Sequence, residues 1–259
     1  MHSKLAEVRS SEFDENGKKL KSINPVIDGS CGTIDDFFDM LKQHLLQINL
    51  DEASNIIFCA DNGPGIWTRT EKLIKDLDLQ TAKCIIDYTH AKQNIDEVTS
   101  ILSQTLNMPK KKSKKLSCQI KDLLWNGNIG GIDDLVKTKL SKEIKTMKTT
   151  SKKTTMKTAI NTALKKLSNY FGDHSKFQYK TFQERGLPTG SGSIESAIRR
   201  IINLRVKGAG IFWEKEKAEN IIFLRSLVLT GKLKNACRKT CSIFQNMCDD
   251  NKIEDLPRR

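Results

Sequence analysis

Four residues of this sequence have types and positions suited to acid and metal chemistry: Asp61, Asp87, His90 and Glu195. Phosphoryl transfer on nucleic acid uses divalent ions, and hard ions take carboxylate oxygens. A two-metal centre needs several carboxylates converging on ions about 3.5–4 Å apart. Asp61 closes the apolar run Asn55-Ile56-Ile57-Phe58-Cys59-Ala60 and stands before Asn62-Gly63-Pro64-Gly65. Taken alone, it reads equally as a strand-end aspartate capping a turn. Glu195 lies in Thr189-Gly190-Ser191-Gly192-Ser193-Ile194-Glu195-Ser196. Two glycines let the backbone bend tightly there, and the glutamate falls on the first turn of a helix. A first-turn acid is also what the helix dipole favours with no chemistry at all. Asp87-Tyr88-Thr89-His90 sets an aspartate and an imidazole three apart at a strand-to-helix junction. Its plain alternative is an N-capping aspartate beside an incidental histidine.

The elements that must position these residues alternate between strand and helix. Residues 8–13 and 21–27 form a predicted hairpin around Asp14-Glu15-Asn16-Gly17, where Asn-Gly is a strong turn signal. Thr33 is a predicted N-cap, and Ile34, Phe37, Phe38, Leu41 and Leu45 follow at helical spacing. The run 55–60 is a predicted buried strand, 67–77 a helix, 83–86 a second strand ending at Asp87, and 90–106 a helix. This α/β pattern puts Asp61 and Asp87 at carboxyl ends of strands, where functional residues gather in such sheets. From 109 to 179 the text is helical and lysine-rich, with a glycine-rich turn at 127–131. A loop at 187–192 leads to a helix near Ser193 whose apolar stripe is Ile194, Ala197, Ile198, Ile201 and Ile202. Another helix runs over 214–230. The tail from Lys232 carries no clear pattern and is expected to fray.

Charge singles out one segment. The net charge is +13, and residues 109–182 hold 18 lysines against 5 acids, while the rest balances 26 bases with 26 acids. The whole excess therefore sits in that block. A local basic block reads as a polyanion surface or as a solvated lysine-rich face, and charge alone does not separate the two. With 37% hydrophobic and 29% charged residues the composition is that of a folded globular chain. No run approaches the roughly 18 apolar residues of a membrane span, and the first eleven residues contain no apolar signal core. Seven cysteines, an odd number without a CxxC pair, argue against a disulfide framework and for a reducing compartment. Cys237, Cys241 and Cys248 have the wrong spacing for zinc and no nearby histidine.

In combination the motifs resemble the DDE-type transposases of bacterial insertion sequences, in the Mutator-like group and closest to the ISKra4 type. Phe13-Asp14-Glu15-Asn16-Gly17 resembles the hairpin near the start of the catalytic domain. Ala60-Asp61-Asn62-Gly63-Pro64-Gly65-Ile66-Trp67 resembles the second-aspartate motif, usually Asp-Gly-Ala, an apolar residue and Trp, here with Asn62 interposed and the alanine replaced. Ile85-Ile86-Asp87-Tyr88-Thr89-His90 matches the downstream Asp-x-x-His signature. The segment from Thr189 to Ala197 matches the block with the catalytic glutamate. Arg205-Val206-Lys207-Gly208-Ala209-Gly210-Ile211-Phe212-Trp213 matches the basic, glycine-containing stretch after it, and 218–231 the closing helix. The similarity runs from about Ser11 to Lys232, and the last two blocks are its most specific parts.

The resemblance implies an RNase H-like core over 1–108 and 183–232, interrupted by the basic helical insertion at 109–182 and followed by a tail at 233–259. It implies that Asp61 and Glu195 bind Mg²⁺ or Mn²⁺ and catalyse DNA strand cleavage and transfer, with Asp87 and His90 as a supporting pair. Lys110, Lys111, Lys112, Lys114, Lys115, Arg199, Arg200, Arg205 and Lys207 become the expected DNA contacts. The family's first catalytic aspartate lies on a strand upstream of the hairpin, and no residue here matches it. Asp14 falls in a turn and Asp28 after the hairpin's second strand. The expectation is accordingly an N-terminally truncated transposase, lacking its first core strand and inactive as this chain alone. Expected partners are double-stranded DNA, an upstream transposase segment and a second copy of the chain, with no membrane, in a bacterial cytoplasm at the nucleoid. A noncatalytic DNA-binding remnant is the alternative, and a host RNase H-like nuclease a third reading.

Overall fold

The computed structural model describes residues 4–9, 11–13, 19–22, 25–145, 150–204, 206–207, 210 and 212–249. The expected hairpin turn at 14–17 and the expected DNA contact Arg205 lie outside them. The protein is α/β with helices predominant, and it divides into two compact units, residues 52–191 and residues 1–51 with 192–259.

The contiguous unit is built on two parallel strands. β5 (Ile56–Ala60) pairs with β6 (Ala82–Ile86) in the register Ile56↔Ala82 through Ala60↔Ile86. The crossover between them is α2 (Ile66–Asp76), and α3 (Tyr88–Thr105) follows β6. Five further helical elements follow: α4 (Lys110–Trp125), α5 (Ile129–Lys145), α6 (Thr150–Tyr170), a 3-10 turn (His174–Phe177) and α7 (Tyr179–Glu184). The expected glycine turn is tighter than its glycines suggest. Only Gly127, at φ +71°, takes the left-handed conformation, while Gly130 and Gly131 already lie in α5.

The lysine-rich stretch is amphipathic rather than merely solvated. Its buried residues Leu116, Ile120, Leu124, Ile132, Leu167 and Phe177 belong to one core with Ile85, Ile86, Ile95 and Leu102 of the β–α units. Burial at about 25 cal/mol per Å² makes this shared core the main stabilising term of the unit. Two polar clamps reinforce it. Asp96 on α3 accepts from Lys121 Nζ at 2.5 and 2.6 Å and from Ser117 Oγ at 2.7 Å. The nearly buried Lys176 sits 4.9 Å over the Trp67 ring and pairs with Glu71 at 2.9 Å and Asp173 at 3.0 Å.

The other unit opens with antiparallel pairs. β1 (Lys4–Val8) pairs with β4 (Val26–Ser30), and β2 (Ser11–Phe13) with β3 (Lys19–Ser22). The hairpin therefore starts earlier than the sequence reading placed it. α1 (Ile34–Leu46) begins as expected at Thr33, with a full capping box: Asp36 N donates to Thr33 Oγ1 at 3.1 Å and Thr33 N to Asp36 Oδ2 at 2.7 Å. Asp28, on β4, lies within hydrogen-bond distance, 2.9 Å, of His44 Nε2 on α1.

α8 (Gly192–Ile198) runs into a π-turn (Arg199–Asn203), and α9 (Lys215–Leu229) packs along β4. That packing needs Gly29. A Cβ there would stand 2.7 Å from Lys4 O and 3.1 Å from Ile222 Cγ2. Glu219 fixes the strand end by accepting from Cys31 N at 3.0 Å. Ile27, Ala197, Ile201, Ile202 and Ile222 form the core of this unit. The expected frayed tail is instead a helix, α10 (Leu233–Asp249). Its apolar residues recur every three or four positions, a period that the polar composition hid. No helix of the described residues is long and apolar enough to cross a membrane.

Candidate functional site

Parallel pairing brings Asp61 and Asp87 together. They are the next residues after the paired Ala60 and Ile86, and Asp87 N donates to Ala60 O at 2.8 Å. The two strands therefore leave the sheet side by side, each with an aspartate at its carboxyl end.

Their carboxylates have different duties. Asp61 is exposed, and its Oδ1 takes a long turn hydrogen bond of 3.2 Å from Gly63 N. Gly65 then starts α2 at φ +75°. Asp87 is 1% exposed. Its Oδ1 caps α3 by accepting from Thr89 N at 2.6 Å and His90 N at 3.1 Å. Its Oδ2 accepts from Ser191 N and Ser191 Oγ, both at 2.5 Å. Burial disfavours its charge, but the four hydrogen bonds outweigh that and hold the carboxyl below its ordinary range. Asp87 is thus saturated, and Asp61 retains open lone pairs.

Two buried polar atoms lie at this edge without a regular hydrogen bond. His90 Nδ1 is 3.4 Å from Asp87 Oδ1 but is not aligned to bond it. Tyr170 Oη, at the end of α6, lies near the Asn94 side chain without a well-formed hydrogen bond. Burial pushes the Tyr170 hydroxyl up to about 12, and the nearby Asp61 and Asp87 charges add to the shift. Asn62 Nδ2 donates to Tyr170 O at 2.9 Å, which pins the end of α6 beside the Asp61 turn. Deeper in, Tyr179 Oη donates to Ile86 O at 2.9 Å, and the Tyr179 ring lies against Tyr88, with ring centroids 4.8 Å apart.

Tyr170, Tyr179 and Ser191 were not among the residues the sequence singled out. Ser191 left a signal, since the Thr-Gly-Ser-Gly-Ser run supplies donors that a buried carboxylate requires. The segment before α8 is held twice: Ser191 bonds Asp87, and Tyr88 N donates to Thr189 O at 2.9 Å. Glu195 belongs to the other unit, exposed on the first turn of α8 and four residues beyond Ser191.

The expected DNA contacts on α4 are all exposed: Lys110, Lys111, Lys112, Lys114 and Lys115. They crowd the first six residues of a helix with no acidic residue in its first turn and no side-chain cap. Lys110, Lys111, Lys114 and Lys115 make no ion pair among the described residues, whereas Lys121 and Lys166 are paired with Asp96 and Glu97. Arg199 and Arg200 are exposed on the π-turn, and Lys207 is exposed beyond it. Compared with protein-family models, curated proteins and solved structures, the chain gives no match.

Proposed function

We propose that this protein is a DDE-type transposase chain of the Mutator-like group, with an RNase H-like core, acting on double-stranded DNA. The observation that carries the reading is the pair of aspartates at the carboxyl edge of β5 and β6, one open and one used as an anchor. Asp61 offers an exposed carboxylate beside a saturated Asp87. Asp87 holds Ser191, and Glu195 follows four residues later in the sequence.

An all-carboxylate donor set suits a hard divalent ion, and the buried His90 Nδ1 and Tyr170 Oη supply polar surroundings for its water. Asp61 and Glu195 would hold Mg²⁺ or Mn²⁺, which supplies charge neutralisation at a scissile phosphate. Asp87 orients the loop that ends at Ser191, just before α8. His90 and Tyr170 line the edge and bind water or phosphate oxygen. The exposed lysines of α4 grip the phosphate backbone, which positions DNA without reading sequence.

A second reading is a noncatalytic DNA-binding protein, favoured by the structural duty of Asp87, both of whose oxygens are already used. Mn²⁺ titration followed by electron spin resonance separates the two. The transposase reading expects binding that weakens about tenfold in both Asp61→Asn and Glu195→Gln. Cation binding indifferent to both substitutions sinks it and leaves the DNA-binding reading.

A further inference from the structure

Within the contiguous unit α3, α4, α5 and α6 form a closed bundle, each helix packed against the next and α6 against α3. Neighbours run antiparallel, and side-chain bonds fix the register. Ser103, near the end of α3, meets Ser113 near the start of α4, and Asp96 meets Ser117 and Lys121 farther along. Glu97 on α3 pairs with Lys166 on α6 at 3.0 Å. One end of the bundle therefore carries the start of α3 and the end of α6, beside Asp87 and the Asp61 turn. The other end carries the starts of α4 and α6 and the end of α5. The 18 residues of α3 separate the two ends by about 25 Å.

Charge is sorted between these ends. Residues 110–115 hold five lysines and no acid, and residues 137–157 hold eight lysines and one acid. Thirteen lysines against one acid make up nearly all of the net charge of +13. Lys110, Lys111, Lys114, Lys115, Lys139 and Lys157 are exposed and make no ion pair among the described residues. Toward the aspartate end, by contrast, Lys121, Lys166 and Lys176 are paired with Asp96, Glu97, Glu71 and Asp173. The composition of the far end narrows its ligand. Residues 88–170 contain no arginine, and neither 89–124 nor 126–169 contains Phe, Tyr or Trp. Single strands are held by bases stacked on aromatic rings, which this end lacks. Lysine meets a phosphate as a compact point charge, and a duplex presents the densest regular array of phosphates, contacted without regard to sequence.

We propose that the far end of the bundle is a duplex-gripping surface separate from the aspartate edge, and that one DNA duplex lying along the bundle touches both, about seven base pairs apart. At a rise of about 3.4 Å per base pair, 25 Å corresponds to that number, and DNA is stiff over such a length. The helices then act as a spacer between the phosphates that are held and the phosphate presented to Asp61. The grip stands on charge and topology alone, whereas the span also rests on the transposase reading of Asp61.

Binding of a fluorescent duplex of about 20 base pairs to the full chain, read by anisotropy in EDTA across a KCl series, tests the grip without any metal. Lys139→Gln with Lys157→Gln should flatten the slope of log K against log salt by about 1.8, about 30-fold weaker binding at 0.15 M when referred to 1 M. Lys165→Gln with Lys180→Gln removes the same charge from exposed positions toward the aspartate end and should cost less than about threefold. Equal losses from the two pairs would mean diffuse attraction to the net charge and overturn the grip, as would no loss from the first pair. A single strand of the same length, or phosphatidylserine vesicles, bound as tightly as the duplex overturns the choice of ligand. A series of duplex lengths then reads the span. The ratio of affinities with and without Mn²⁺ should stay near one for short duplexes and rise once the length passes the far-end footprint by about seven base pairs. A Mn²⁺ gain already present at the shortest bound length, or at no length, overturns the span and leaves the grip. Mn²⁺ binding indifferent to Asp61→Asn removes the transposase reading and the span with it, again leaving the grip.

Discussion

Replacing Lys110 and Lys111 by Gln should move stability and DNA binding in opposite directions. Both residues stand in the first turn of α4, where the unpaired backbone N–H groups make the helix end positive. A cation there opposes the dipole by about 0.3–1 kcal/mol at low salt. Lys110 also faces Lys114, and Lys111 faces Lys114 and Lys115, like-charge neighbours at three or four residues that cost about 0.2–0.5 kcal/mol each. Gln matches Lys in helix propensity, so little else changes. After screening at moderate salt the double variant should gain about 1 kcal/mol, a rise in Tm of about 2–4 °C.

For duplex DNA the same change removes two phosphate contacts. The slope of log K against log salt should flatten by about 1.8, which amounts to about 30-fold weaker binding at 0.15 M when referred to 1 M. Filter binding across a KCl series, paired with thermal denaturation, reads both effects. Unchanged DNA affinity would mean that these lysines only solvate the helix. A loss of stability would refute the dipole argument itself.

Asp87→Asn places an amide nitrogen against donors whichever way it turns, Thr89 N and His90 N on one side and Ser191 N and Oγ on the other. It should cost about 2–3 kcal/mol in urea denaturation. Because the folded carboxyl is held low, the advantage of Asp87 is complete above its ordinary value of 3.8 and fades as pH falls through the lowered one, so the gap between the two proteins should close in acid. Tyr179→Phe strands the buried Ile86 carbonyl and should cost about 1–2 kcal/mol; a neutral result would show that water replaces the hydroxyl. Burial raises the Cys59 thiol to about 12, so iodoacetamide at pH 8 should modify the exposed Cys118, Cys237 and Cys241 first, with mass spectrometry finding Cys59 last.

Local signals in the sequence were faithful where local physics decides. The Thr33 cap, the ends of β5 and β6, and the N-capping Asp87 each rest on residues within four positions of one another. The plain alternative for Asp87, a capping aspartate, proved an accurate description of its Oδ1 and missed its Oδ2, whose partner lies 104 residues away. Nothing near Asp87 in the chain announces Ser191. The same distance effect hid the two tyrosines, because a lysine-rich segment gives no sign of which aromatic side chains it buries. The π-turn after α8 was also illegible, since a bond from residue i to i+5 depends on what the turn packs against. α10 was misread because its hydrophobes are cysteines and a few larger residues scattered among lysines.

The order of residues in the two units constrains how the chain can fold. The unit of residues 52–191 is continuous, and its contacts close over modest loops. The hairpin and α1 precede it, while the helix that covers β4 follows it, and the bond between Cys31 N and Glu219 spans 188 residues. Loop-closure entropy and the direction of synthesis both delay that contact. β4 must therefore be made, and must wait with its apolar face unsheltered, while 140 residues of another unit are synthesised and fold. During that interval an antiparallel hairpin is the part of the chain most exposed to wrong strand partners. Gly29, which lets α9 approach so closely, is then a residue whose contribution arrives last.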